Sequence, residues 1–298
     1  MTDDFRCAVA SSGRDEPMLG TASTVRNWLL LEHPGPWGAH ALRDARIPGG
    51  IGDQLRRGSA ASGVRVLLIR RVRGASTGST MCFAIHSGPD EPWIERIELA
   101  RFENASSIDL EKLGRGERLG RGELHGGPLF LVCTHGRRDP CCAERGRPLA
   151  EALARVFPDE TWEASHIGGD RFAGNVLAFP HGFYFGRVEP IEGPSVARAY
   201  GEGRLDLAHL RGRSCRRMPV QAAEHLLRDR EGLDRIDDVE LEDAASSGDG
   251  FVARFRTITG RFEVRLAIEP ADGAVRLTCH GERDERPPVY RAAAIEPL

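Results

Sequence analysis

Lysine is almost absent from this chain. Lys112 is the only one among 41 basic residues, so nearly every positive charge is a guanidinium. A compositional bias of the genome accounts for this better than selection for arginine chemistry. Net charge is also missing: 41 basic residues face 44 acidic ones, for a formal −3. That balance gives no bulk electrostatic pull toward nucleic acid or an acidic membrane, so neither is expected as a partner. No apolar run approaches the roughly 20 residues of a membrane span. The opening Met1-Thr-Asp-Asp-Phe-Arg is acidic and lacks the basic and apolar regions of a signal peptide. The expected location is the cytoplasm. The glycine-rich doublet at 114–124 is followed by no Gly-Lys-Ser/Thr and misses the dinucleotide spacing, so it reads as a surface linker or hairpin. No Cys-x-x-Cys of thioredoxin type occurs.

What is present is ordinary globular sequence. With 298 residues and 40% hydrophobic content, two or three domains with normal cores are expected. Strand patterns fall at Thr24–Glu32, Val64–Val72, Met81–His86 and Trp93–Leu99, with a helix near 50–57. From Leu129 the order is strand, helix (Arg145–Val156), strand (Thr161–Ser165), hairpin (176–188), helix (194–200). That order suits a compact thioredoxin-like unit. A helix over 219–227 follows, then strands at 236–241, 251–258, 262–268 and 275–279. The division expected is an N-terminal α/β domain (1–125), a thioredoxin-like domain (126–205) and a C-terminal α+β domain (206–298). Trp37, in the His-Pro-Gly-Pro-Trp-Gly loop, is expected at a core edge rather than in a site.

Seven cysteines, an odd number, argue against a disulfide framework. Cys7, Cys82, Cys215 and Cys279 stand alone and read as small buried hydrophobes. Cys133, Cys141 and Cys142 crowd into ten residues among Arg137, Arg138 and Arg145, which favour thiolates. Cys133 ends a strand, and Cys142 lies at the start of a helix. His166 ends the next strand and is followed by Gly168 and Gly169, where the backbone must turn closely. Asp170, four residues on, returns to the same region or serves as a helix N-cap. Two thiolates, an imidazole and a fourth donor suit an iron–sulfur centre. A zinc site of two cysteines, histidine and aspartate is the nearest metal alternative.

Cys133-Thr-His-Gly-Arg-Arg-Asp…Cys142, His166-x-Gly-Gly-x-x-Phe-Ala-Gly-Asn175 and Gly182-x-Tyr-x-Gly-Arg187 resemble the sucrase/ferredoxin-like family. The opening Cys7-Ala-Val-Ala-Ser, the Gly-Pro-Trp-Gly38 loop and Val220-Gln-Ala-Ala-Glu224 extend the resemblance over most of the chain. It implies a thioredoxin-like [2Fe–2S] ferredoxin: an electron carrier rather than a stand-alone enzyme, serving an unidentified redox partner protein. Family members bind the cluster through two cysteines and a His-x3-His pair, so Cys133, Cys142 and His166 carry over as ligands. Asp170 stands at the second histidine's position and is the first choice for the fourth ligand, with Cys141 and His135 as rivals. Nothing matches a glycosidase carboxylate pair, so sugar hydrolysis carries no weight. The competing expectation is a cluster-free or zinc-bearing thiol protein acting on disulfides or peroxides.

Overall fold

The computed structural model describes residues 5–72, 78–248 and 250–298. Most of the acidic N-terminal stretch weighed above as a signal peptide, residues 1–4, lies outside them. In chain order the elements are α1 (Cys7–Ser12), β1 (Asn27–Glu32), α2 (Ala41–Asp44), α3 (Ile51–Ser62), β2 (Val64–Arg71), β3 (Thr80–His86), β4 (Trp93–Leu99), α4 (Leu110–Gly114) and β5 (Glu123–Leu124). Then come β6 (Leu129–Cys133), α5 (Pro140–Ala154), β7 (Thr161–Ala164), β8 (Val176–Phe179), β9 (Phe183–Phe185), α6 (Gly193–Gly201) and β10 (Leu210–Arg213). The last part holds α7 (Met218–Glu231), β11 (Val239–Ser247), β12 (Gly250–Thr257), β13 (Gly260–Pro270) and β14 (Pro288–Pro297). The fold is mixed α/β.

Ten strands form one curled sheet in the order β10-β9-β8-β6-β7-β2-β1-β3-β4-β5. The sheet runs unbroken across residue 125: β2 pairs antiparallel with β7 through Ile69–Ala164, Arg70–Glu163 and Arg71–Trp162. β1 and β6 are buried along their whole length because both sheet faces are covered. On one face Trp28, Leu30, Ile69, Leu131, Trp162 and Tyr184 form a core that reaches Cys133 and Cys142. On the other, α3 packs against Leu29, Leu31, Val66 and Leu68.

The remaining sheet, β11-β12-β13-β14, is an antiparallel meander. Its Phe251, Phe255, Val264 and Leu266 face Val220, Ala223 and Leu227 of α7. In β13 the residues Phe262, Val264 and Leu266 are buried and Arg265 is exposed, the alternation of a one-sided sheet. α7 begins with Pro219 in its first turn and stops at Gly232, whose φ of 68° is the left-handed C-cap. Inside, the buried Glu224 carboxylate accepts from Arg228 at 2.9 Å.

Two strands lie beyond those the sequence indicates, and one expected strand is missing. β10 forms the sheet edge, and its sequence reads as polar because it carries the buried Arg211 and Arg213. The strand expected at 275–279 is a loop with a single bridge, Val275–Glu285. The final strand, β14, starts at a proline and sits on the meander's edge, where the missing N–H is tolerated.

Candidate metal centre

Helix α5 starts five residues before the expected Arg145. Asp139 is its N-cap, accepting from the Cys141 N–H at 3.0 Å, and Pro140 fills the first turn. Cys141 and Cys142 therefore lie inside the first helical turn. Gly146 brings that helix onto the end of β6: a Cβ there would stand 2.0 Å from the Cys133 carbonyl oxygen. This close approach sets Cys142 beside Cys133.

One ligand atom each from Cys133, Cys142 and His166 lies within 4.8 Å of the other two. Asp170 joins them. Its Oδ1 accepts from the Cys142 thiol at 3.0 Å and stands 2.9 Å from His166 Nδ1. The latter is an ionic contact, and Nδ1 is buried. Asp170 is not a helix cap. Gly169 (φ 81°) occupies that position, and the Asp170 side chain turns inward.

The Gly-Gly turn is braced from behind. Arg211, fully buried, donates to the Gly168 carbonyl at 3.0 Å and to Asn175 Oδ1 at 2.8 Å, while Asn175 Nδ2 donates to the Gly169 carbonyl at 2.8 Å. A Cβ at position 169 would meet that guanidinium at 2.2 Å, so both the left-handed φ and the space require glycine.

His135 stands outside the set. Its Nε2 bonds the Gly38 carbonyl at 2.7 Å, and its Nδ1 accepts from the His166 N–H at 3.1 Å. It locks the strand end instead. Trp37 packs edge-on against it at 5.7 Å and is buried, so the loop tryptophan supports the site from the core. His181, in the turn between β8 and β9, bonds the Tyr200 hydroxyl at 2.7 Å, and burial lowers it to about 4.

The four groups share charge. Cys133 is held well below the usual thiol value, first by the adjacent Cys142 and then, against burial, by His166. Cys142 is pushed well up by the neighbouring Cys133 sulfur and by burial. Burial alone would lower His166, but Asp170 and Cys133 outweigh it and raise it to about 9. Burial would raise Asp170, yet His166 and Cys142 keep it below the ordinary carboxyl value. These directions favour the ionised forms of Cys133, His166 and Asp170 and the protonated form of Cys142. A cleft of about 550 Å³, lined by Arg43, Arg56, Arg65, Arg138 and His135, opens at His166.

Cys141 faces the other way. Its sulfur joins Cys7, Cys279 and Asp139, whose ligand atoms also lie within 4.8 Å of one another. This second set was not visible as a site in the sequence, where Cys7 and Cys279 read as isolated core residues. No short-range signal reveals it, because 272 positions separate Cys7 from Cys279.

A profile of the sucrase/ferredoxin-like family matches residues 18–212. The chain belongs to that family. Among relatives of this family member, a protein of Meyerozyma guilliermondii named "Altered inheritance of mitochondria protein 32" is 29% identical over 109 residues, 33% of this chain and 35% of that protein. Its namesake in Clavispora lusitaniae is 30% identical over 122 residues, 38% of this chain and 44% of that protein. The one in Candida glabrata is 27% identical over 105 residues, 30% and 34% of the two chains. The matches thus span about a third to under half of the curated relatives' length. No solved structure matches.

These comparisons correct the expectation of an electron-transfer protein carrying a [2Fe–2S] cluster. The relatives are named for mitochondrial inheritance, not electron carriage, and the family description states a likeness to ferredoxins without a cluster. The iron–sulfur and electron-transfer terms fall with it. A buried set of cysteine, histidine and aspartate donors compatible with a metal remains. Among the described residues no helix is long and apolar enough to cross a membrane.

Proposed function

We propose that this chain is a zinc-bearing thiol redox protein whose reactive pair is Cys133 and Cys142. The observation that carries this reading is the linked set Cys133–Cys142–Asp170–His166, whose donor atoms converge on one point, and whose surroundings lower the Cys133 thiol. Two sulfurs, an imidazole nitrogen and a carboxylate fit zinc by donor type. Bound by these four residues, zinc would keep both sulfurs as thiolates and shield them from oxidation.

In the metal-free form the same residues suit reaction with a small disulfide, RSSR. The Cys133 thiolate attacks one sulfur and releases RS⁻, which takes the proton of His166. Cys142 passes its proton to Asp170 and attacks the Cys133 sulfur of the mixed disulfide, and the second RS⁻ that leaves takes up that proton. Two cysteine sulfurs are oxidised to one disulfide, and RSSR is reduced to two RSH. The arginines of the neighbouring cleft favour an anionic RSSR. Both thiols are buried, so access runs through the cleft at His166.

The run β6-α5-β7-β8-β9-α6, with β6 parallel to β7 and antiparallel to β8, supports a thioredoxin-like unit for this chemistry. Seven free cysteines support a reducing compartment such as the cytoplasm.

The test combines metal and sulfide analysis of the purified chain with oxidation of its zinc-stripped form. Oxidised glutathione should produce a Cys133–Cys142 disulfide, mapped by mass spectrometry, faster than the cationic disulfide cystamine does. Stoichiometric iron with inorganic sulfide, or a pair that resists both oxidants, would overturn the reading.

A further inference from the structure

The geometry points to a second zinc site, structural and closed, formed by Cys7, Asp139, Cys141 and Cys279. It joins α1, the start of α5 and the loop between β13 and β14, and it shares no residue with the set described above.

The spacing fits the ion. Zinc–sulfur bonds of about 2.3 Å and zinc–oxygen bonds of about 2.0 Å in a tetrahedron give edges of about 3.8 Å between sulfurs and about 3.5 Å from sulfur to oxygen. Here Cys141 Sγ lies 3.4 Å from Cys279 Sγ, and Cys279 Sγ lies 3.6 Å from Cys7 Sγ. Cys7 Sγ stands 3.6 and 3.7 Å from the two Asp139 oxygens. No disulfide joins these sulfurs, and separations so close to the edges of a zinc tetrahedron let one divalent cation replace the thiol protons between them.

Charge gives a second, independent reason. Asp139 is 0% exposed and, among the described residues, pairs with no arginine or lysine. A carboxylate withdrawn from water without a cation is costly. Its two oxygens accept the Cys141 N–H at 3.0 Å and the Cys279 N–H at 2.7 Å, which leaves lone pairs for a metal. The sulfurs have similar support: the Cys7 N–H reaches Cys279 Sγ at 3.4 Å, and the Ala8 N–H bonds Cys141. Backbone donors directed at Asp139, Cys141 and Cys279 are the outer shell such centres use. The four residues are at most 8% exposed, so the site has no open position for substrate and reads as structural.

The site also explains how a long irregular segment is held. Residues 271–287 contain only the bridge Val275–Glu285, and the Cys279 contacts tie their turn to α1 and α5. Long loops without secondary structure need such an anchor or a functional role.

The experiment uses the full chain with Cys133→Ser and Cys142→Ser, so that failure of the redox reading leaves it untouched. This double variant, purified without chelator, should retain one zinc per chain by elemental analysis. Adding Cys279→Ser should remove it. Because that variant can fail for folding reasons, the double variant is also alkylated with N-ethylmaleimide under native conditions. Cys7, Cys141 and Cys279 should resist until a chelator is added, then react at least about tenfold faster, while Cys82 stays unchanged. A metal-free double variant with a Cys141–Cys279 disulfide, or three thiols whose reactivity ignores the chelator, would overturn the site.

Discussion

Two buried cysteine sets lie on either side of one helical turn, and they are built differently. Cys142 points to Cys133, His166 and Asp170, all within 38 residues of one another in sequence. Its neighbour Cys141 points to Cys7 and Cys279, near opposite ends of the chain. The first set holds an imidazole raised to about 9 and opens onto an arginine-lined cleft. The second has no histidine and is sealed. The first arrangement suits the reactive centre proposed above, and the second suits the proposed structural one. Cys141 and Cys142 can face different sets because consecutive helical side chains diverge by about 100°.

The comparison can be broken most forcefully at Gly146. Gly146→Ala drives a Cβ into the Cys133 carbonyl, so α5 must lift from β6. A loss of at least about 3 kcal/mol in urea unfolding is expected. Both sets should lose zinc, since both ride on this helix start. Retention of full metal content at both would separate them from α5 and undo the contrast.

The next effect is one of pH and sharpens the difference. In the metal-free chain, His166 is raised from an ordinary 6.5 to about 9. Its contribution is fully present below about pH 6.5 and is lost as pH rises through about 9, on the order of 3 kcal/mol in all. His166→Asn should flatten that alkaline limb in chelator-treated protein. A limb of equal size in the variant would assign it elsewhere.

The smallest effect lies behind the first set. Arg211→Lys keeps the charge but loses the fork that holds Gly168 and Asn175. Metal affinity at the first set should fall about 10- to 100-fold. Competitive chelator titration should show the second set unchanged. Equal weakening of both would mean that Arg211 supports the whole core rather than this turn.

Legibility in the sequence followed the same division. The strand at 64–71 was readable from its run of Val, Leu and Ile, that at 80–86 from its apolar Met-Cys-Phe-Ala-Ile stretch, and that at 93–99 from the alternation of Ile and Leu with Glu and Arg. The first set was readable as a motif because its glycines and its donors sit together. β10 was missed since Arg211 and Arg213 look solvent-loving, and only tertiary partners reveal that they are buried. The start of α5 was misplaced because Asp139 and Pro140 read as loop residues until their cap geometry is seen. The second set was unreadable in principle: nothing local to Cys7 or Cys279 announces the other. The electron-carrier reading went further than its motifs allowed, for donor types narrow the choice of metal but do not name an activity.

The pairing of β2 with β7 has a practical consequence for anyone wishing to excise residues 126–205. A fragment beginning near residue 126 would carry β7 with a naked backbone edge where Ile69, Arg70 and Arg71 once docked. Such an edge recruits other chains. The isolated fragment is expected to precipitate, or to dimerise through that strand, and a charged substitution along the newly bared edge would be the first remedy.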